Sequence, residues 1–171
     1  NEIDEKTGLP VYSLYGKTKK PTAKMLKDID VLAYDMQDVG ARFYTYINTM
    51  AYAMEACAEN NKTFAVFDRP NIVSGAVQGT ILNSNFKSFV GMYPIPQRYG
   101  MTAGELAKFI NKEYNINCTL SVIPMTGWTR NMYYDNTGSK TWVMPSPNMP
   151  TLDTAIVYTG TCIFEGTNLC Y

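Results

Sequence analysis

Apolar and polar positions along the chain follow two different periods. At Ile47, Met50, Met54 and Cys57 the apolar residues recur every three or four positions, which is one face of a helix, and Asn60-Asn61-Lys62 ends it. Asp30 to Asp35 and Phe64 to Asp68 are instead short, continuous apolar runs closed by an acid, which predicts buried strands. Strand, helix and strand within about 38 residues make a βαβ unit, and such units build parallel sheets with right-handed crossovers. Thr102 and Glu105 stand at capping-box spacing, ahead of a helix whose buried face is Leu106, Phe109 and Ile110, and Thr119 to Pro124 reads as a third strand. Leu152 to Phe164 predicts a last helix with Leu152, Ile156, Gly160 and Ile163 on one face.

Between these elements the pattern is irregular. The opening stretch is polar, with a short strand predicted over Val11 to Tyr15, ended by Gly16, and a short helix from Pro21 to Lys27 that turns Met25 and Leu26 inward. From Ile72 to Gly100 the chain is rich in Gly, Asn, Ser, Pro and aromatics, a long functional loop or a small excursion. Gly127 to Pro150 is loop-rich and holds Trp128 and Trp142. The class is α/β with an open, mostly parallel sheet, and 171 residues suit one domain.

Charge and composition narrow the chemistry. Fifteen Lys+Arg balance fifteen Asp+Glu, so the chain has no general attraction for nucleic acid. It contains no histidine, which excludes Ser-His-Asp and Cys-His nucleophiles and every His-containing zinc site. Cys57, Cys118, Cys162 and Cys170 are scattered without C-x-x-C spacing, and free, mostly buried thiols are expected. No apolar run approaches the ~20 residues of a membrane span, and no secretory signal opens this chain. Both ends look cut.

Asp35 and Asp68 each follow an apolar strand, and in an open parallel sheet the carboxyl ends of the strands face the ligand crevice. The competing reading is that each Asp caps its own turn. Polar residues trail both, Gln37, Asp38 and Arg42 after the first and Arg69 and Asn71 after the second. With no glycine fingerprint for phosphate, a nucleotide cofactor is disfavoured, and no cofactor is expected. Arg42, Tyr44 and Tyr46 stand at alternate positions, and an aromatic-rich, uncharged cleft suits carbohydrate. Glu165 follows the last apolar segment, where partial desolvation would fit it for a general acid.

Several segments together resemble one family. Asp35-Met36-Gln37-Asp38-Val39-Gly40-Ala41-Arg42-Phe43-Tyr44-Thr45-Tyr46 is similar to its D-x-Q-D-x-G-x-R-x-Y-T-Y signature, and Phe67-Asp68-Arg69-Pro70-Asn71 to its (L/F)DRPN block. Phe89 to Pro96 with Tyr99 to Leu106, Gly127-Trp128, Pro145 to Pro150, and Phe164 to Asn168 complete the set. The chain thus resembles the NamZ-type exo-β-N-acetylmuramidases, bacterial enzymes of peptidoglycan turnover, over nearly its whole length. The resemblance implies a Rossmann-like domain with flanking helices, here residues 1–171 and incomplete at both ends, joined to a second C-terminal domain that this chain lacks. It implies an active site in the cleft between the domains, removal of N-acetylmuramic acid from the non-reducing end of peptidoglycan fragments, and a place in the cell envelope or outside the cell. Family members also carry a Pro-Glu-His-Gly segment thought to supply a catalytic glutamate, which this chain does not contain.

On this reading Glu165, Asp35 and Asp68 are the catalytic candidates. Gln37, Asp38, Arg42, Tyr44, Tyr46, Arg69, Asn71, Asn148 and Asn168 are the candidates for substrate contact. Arg42 is assigned to the lactyl carboxylate of muramic acid, which a guanidinium matches bidentately. Two rivals remain: a sugar-binding module without catalysis, and a Mg²⁺ site on Asp35, Asp38 and Asp68, since oxygen ligands suit that ion. No metal is expected on the preferred reading, and the chain alone is expected to be inactive.

Overall fold

The computed structural model describes residues 2–139 and 141–168. A small antiparallel pair, β1 (Glu2–Ile3) and β2 (Pro10–Val11), opens the chain. The strand expected over 11–15 therefore keeps only its first residue. The Ser13 hydroxyl accepts the Tyr15 N–H at 3.2 Å and Gly16 takes φ +91°, so the chain turns there instead of extending. A one-turn helix, α1 (Ala23–Leu26), is capped by the Thr22 hydroxyl and buries Leu26.

Three strands then build the sheet that organises the molecule: β3 (Val31–Tyr34), β4 (Thr63–Phe67) and, after the segment described below, β7 (Thr119–Ile123). Their order is β3-β4-β7, parallel throughout, with Val31 opposite Thr63 and Phe67 opposite Ile123. The crossovers are α2 (Tyr46–Glu59) and α3 (Ala103–Glu113). Adding strands in sequence order with crossovers of one hand places both helices on the same face. Tyr34, Phe64 and Val66 accordingly pack with Ile47, Met50, Met54 and Cys57 of α2 and Leu106 and Ile110 of α3 in one core. The capping box is present, Thr102 and Glu105 satisfying each other's backbone N–H groups at 3.0 and 3.2 Å.

The strands are not buried on both faces. Val31, Phe67 and Ile123 point away from the helices and are 50%, 45% and 40% exposed. The Gly- and Pro-rich stretch after β4 is a small excursion: β5 (Gln78–Ile81) and β6 (Pro96–Arg98) pair antiparallel, with a 3₁₀ turn at Ser84–Phe86 between them. The loop after β3 runs beside β6, the Arg42 N–H donating to Gln97 O at 2.8 Å.

A second, smaller core joins these loops to α4 (Leu152–Thr161): Val39, Ala41, Ile72, Val73, Met149 and Ala155 are its buried members. Leu152 and Ile156 pack against it as expected, but Ile163 is 65% exposed. The α-helix stops at Thr161 and Cys162–Gly166 continues as a 3₁₀ turn, whose tighter winding carries Ile163 off the expected face. Cys57, Cys118 and Cys162 are free, the first two buried, whereas Cys170 lies outside the described residues. Among the described residues no helix is long and apolar enough to cross a membrane.

Candidate active site

Because β3 and β4 are parallel and in register, they deliver the residues that follow them to the same edge of the sheet. Asp35 and Arg69 meet there: Nε and Nη2 of the guanidinium each reach Asp35 Oδ1 at 2.7 Å. Gln37 ties the two loops together, its amide donating to Asp38 O at 3.0 Å and Pro70 O at 2.9 Å. Two cavities open on either side of this cluster, and Gln37 and Arg69 line both. One, of about 260 Å³, is completed by Asp35, Tyr46 and the segment Val143 to Pro145. The other, of about 310 Å³, is completed by Trp128, Tyr134, Thr137 and Ser139. A crevice at the carboxyl ends of parallel strands, walled by aromatic rings and rimmed by an ion pair and an amide, is the ligand position of an open α/β sheet.

The remaining polar residues of the two motifs lie beneath this rim and make the floor that holds it. Asp38 is buried: Oδ2 accepts the Gly40 N–H at 2.7 Å and the Tyr99 hydroxyl, while Oδ1 is buried with no hydrogen-bond partner among the described residues. Burial pushes its pKa up to about 6, against the lowering by the Tyr99, Gly40 and Val39 donors. Burial and the Asp38 charge hold the Tyr99 phenol well above its ordinary range. Asn71 is also buried, donating to Met101 O at 2.9 Å and accepting the Val73 N–H at 3.1 Å. Gly40 sits at φ +75° directly against the Asn71 amide, where any Cβ would collide. Arg42 is 9% exposed, and its Nη1 donates to Thr80 O at 2.7 Å and Ile95 O at 2.6 Å. Its guanidinium staples the β5–β6 ribbon to the loop and does not line the crevice.

Asp68 serves the start of α3. It accepts the Arg69 N–H at 3.0 Å, the Gly104 N–H at 2.8 Å and the Thr102 hydroxyl at 2.9 Å. A carboxylate against free N–H groups at a helix N-terminus is electrostatically favourable. Gly104 permits the approach, since a Cβ there would meet Asp68 and Val122. The three aspartates thus have separate employments: Asp35 pairs with Arg69, Asp38 binds Tyr99 and Gly40, and Asp68 caps α3. Among the described residues no group of three or more acids or cysteines is arranged to hold a metal ion.

Glu165, Tyr44 and Asn148 gather elsewhere. They line a cavity of about 550 Å³ against α4, together with Ser146, Asp153 and Tyr158. The Tyr158 hydroxyl donates to Glu165 Oε2 at 3.4 Å, and burial together with the Glu165 charge pushes that phenol's pKa up. Tyr44 and Tyr46 stand edge-on, with ring centroids 4.8 Å apart, between this cavity and the crevice. The Tyr46 hydroxyl donates to Pro145 O, closing the partition. Asn168 is exposed at the end of the described residues.

Sequence reasoning singled out Trp128 as part of a block but not as a site residue. Its indole Nε1 is buried with no hydrogen-bond partner among the described residues, and the Arg130 guanidinium lies 5.6 Å from its ring centroid. Tyr99 carried no signal as the partner of Asp38, and Thr102 was legible as the cap of α3 but not as the partner of Asp68.

Comparison with known proteins converges on the same family. A protein of Bacillus subtilis (strain 168), "Peptidoglycan beta-N-acetylmuramidase NamZ", is 58% identical over 168 residues, covering 98% of this chain and 40% of its own length. Crystal structures of two DUF1343 family proteins from Bacteroides fragilis NCTC 9343 superpose with TM-scores of 0.87 and 0.86 at 52% and 41% identity. These matches take in 91% and 96% of this chain but only 41% and 45% of those chains, so it spans under half the length of the relatives it matches. Residues 1–153 match the family described as "Exo-beta-N-acetylmuramidase NamZ, N-terminal", and this chain belongs to that family.

Proposed function

We propose that the protein to which this chain belongs is a glycoside hydrolase that removes terminal N-acetylmuramic acid from peptidoglycan fragments, and that the crevice around Arg69 is this chain's share of the sugar site. The support outside the molecule is the 58% identity to a peptidoglycan β-N-acetylmuramidase. The observation that carries it inside the molecule is Arg69, at once fixed and open. Asp35 holds Nε and Nη2 of its guanidinium, yet the side chain is 41% exposed between two aromatic-walled cavities. A guanidinium has five N–H donors, so donors remain for a second carboxylate after one is bound. Muramic acid differs from glucosamine by a lactyl carboxylate, and Arg69 is the cation placed to receive it. The role first assigned to Arg42 passes to Arg69 because Arg42 is buried, lines neither cavity of the crevice, and gives its Nη1 to two carbonyls of the β5–β6 segment.

Glycosidases flank the scissile bond with two carboxylic groups, one donating a proton and the other acting as base or nucleophile. A substrate acetamido group can replace the second. Asp68 is committed to α3, so Asp35 beside the crevice and Glu165 in the adjoining cavity are the carboxylates this chain offers. Asp35 orients Arg69, while Gln37 fixes the loop that carries both it and Asp35. Trp128 and Tyr134 supply faces on which a pyranose stacks and from which water is displaced.

The test is turnover of paired chromogenic glycosides, N-acetylmuramic acid against N-acetylglucosamine, by the intact protein. Arg69→Ala should lower kcat/KM for the muramic glycoside about 10²-fold, the scale of a lost charge-assisted hydrogen-bond pair, and spare the glucosamine glycoside. Equal losses on both sugars would remove Arg69 from carboxylate recognition.

A further inference from the structure

Beyond Tyr46, on the side away from α4, a cavity of about 660 Å³ lies between the turn after β2 and the start of α2. Met36 and Tyr46 line both this cavity and the crevice, so the two spaces are neighbours across one wall. Leu14, Met36 and Phe89 make its apolar sides. Its polar equipment has one sign. Lys19 lines it with an ammonium that rests over the Phe89 ring, 4.0 Å from the centroid. Among the described residues Lys19 has no carboxylate partner, whereas the neighbouring Lys20 is paired with Glu55 and Glu59 at 3.2 and 2.7 Å. Thr45 and Thr49 also face the cavity, from the first turn of α2. Thr45 makes no side-chain capping bond and that first turn holds no acid, so the positive end of the 14-residue helix is left uncompensated.

We propose that this cavity is a second subsite, taking a carboxylate-bearing, apolar-flanked part of the same ligand whose terminal sugar occupies the crevice. The inference rests on the carbohydrate reading above and extends it. Lys19 is half-buried as a residue, and the Phe89 ring face that its ammonium rests on is a weaker partner than a carboxylate. A carboxylate between Lys19, the two threonine hydroxyls and the start of α2 completes the balance, and the apolar walls take the atoms beside it. Tyr15 stands at the rim, 95% exposed, free to cover an occupant. In a peptidoglycan fragment the carboxylate has two sources, a further acidic sugar along the glycan or a peptide joined to it.

The experiment is calorimetric titration of the intact protein with three ligands: a glycan carrying two muramic residues, the same glycan with its carboxylates reduced to alcohols, and a peptide-bearing fragment. Lys19→Ala should weaken the carboxylated ligands about tenfold, the scale of one charged hydrogen bond. Lys19→Glu should weaken them further, Lys19→Arg should restore binding, and the reduced glycan should bind all variants alike. Dependence on Lys19 with bare glycan identifies the sugar carboxylate as the occupant, and dependence only with the peptide-bearing fragment identifies the peptide. If Lys19→Ala weakens the reduced glycan as much as the carboxylated ligands, or weakens none of the three ligands, the second subsite is wrong. Turnover of a one-sugar muramic glycoside, too short to reach this cavity, reads the crevice separately. Turnover without any carboxylate-dependent Lys19 effect overturns the subsite alone, whereas absence of both turnover and binding overturns the two readings together.

Discussion

The floor and the rim of the crevice are cut from the same two stretches of sequence, yet they do opposite things. From Asp35 to Arg42, Asp35 and Gln37 reach the crevice, while Asp38, Gly40 and Arg42 turn inward. From Asp68 to Asn71, Arg69 reaches it, while Asp68 and Asn71 are consumed by backbone N–H groups, a hydroxyl and a carbonyl. A dense polar motif is therefore no list of substrate contacts. The loops that follow the strands carry backbone donors and acceptors with no ladder to join, and buried side chains must satisfy them. The inward residues set where the loops lie, and the outward ones meet the ligand.

Removing an inward residue should therefore cost stability first. Arg42→Ala leaves the buried Ile95 O and the part-buried Thr80 O without their donor and frees the β5–β6 ribbon from the loop. The expected loss is about 3 kcal/mol, the scale for breaking a buried charged network, seen as a lower thermal midpoint of the intact protein. A variant as stable as the parent but inactive would place Arg42 on the rim after all.

Asp38 gives the comparison a pH signature. Its folded pKa of about 6 lies above the ordinary 3.8, so the folded protein holds this proton more tightly than the unfolded chain. The stabilisation is complete below the unfolded value and is lost as pH rises through the folded one. Asp38→Asn keeps an acceptor but cannot ionise. The stability difference between parent and variant should shift by about 2 kcal/mol against the parent between pH 4 and pH 7. A difference independent of pH would show that Asp38 ionises in the fold as easily as in the unfolded chain.

How far these roles were legible in the sequence follows from the same division. The spacing of Ile47, Met50, Met54 and Cys57 reports a helix face because every one of them packs into a single core. The Thr102–Glu105 box is local and is read locally. The run Val31 to Tyr34 hides its open face, because apolar residues stand on both sides and no alternation marks Val31 as exposed. Direction was also hidden for the charged motif residues: Arg42 and Arg69 look alike as letters, and only the third dimension buries one. Lys19 was missed altogether, since nothing in the sequence tells it from Lys20 until Glu55 and Glu59 are seen to take one and leave the other.

The smallest expected effect sharpens the comparison most. Asp35 and Arg69 are 57% and 41% exposed, and a solvent-screened pair of this kind contributes about 0–1 kcal/mol to stability. A double-mutant cycle of Asp35→Ala and Arg69→Ala, followed by thermal unfolding of the intact protein, should return a coupling energy inside that range. The same cycle followed by kcat/KM on the muramic glycoside should be strongly non-additive. Once Arg69 is gone, Asp35 has nothing left to orient, so its removal should add little to the first loss. Additive kinetic losses would mean that Asp35 acts on the substrate directly, as base or nucleophile. Coupling in stability as large as the Arg42 effect would move the pair from rim to floor and leave the crevice without its carboxylate receptor.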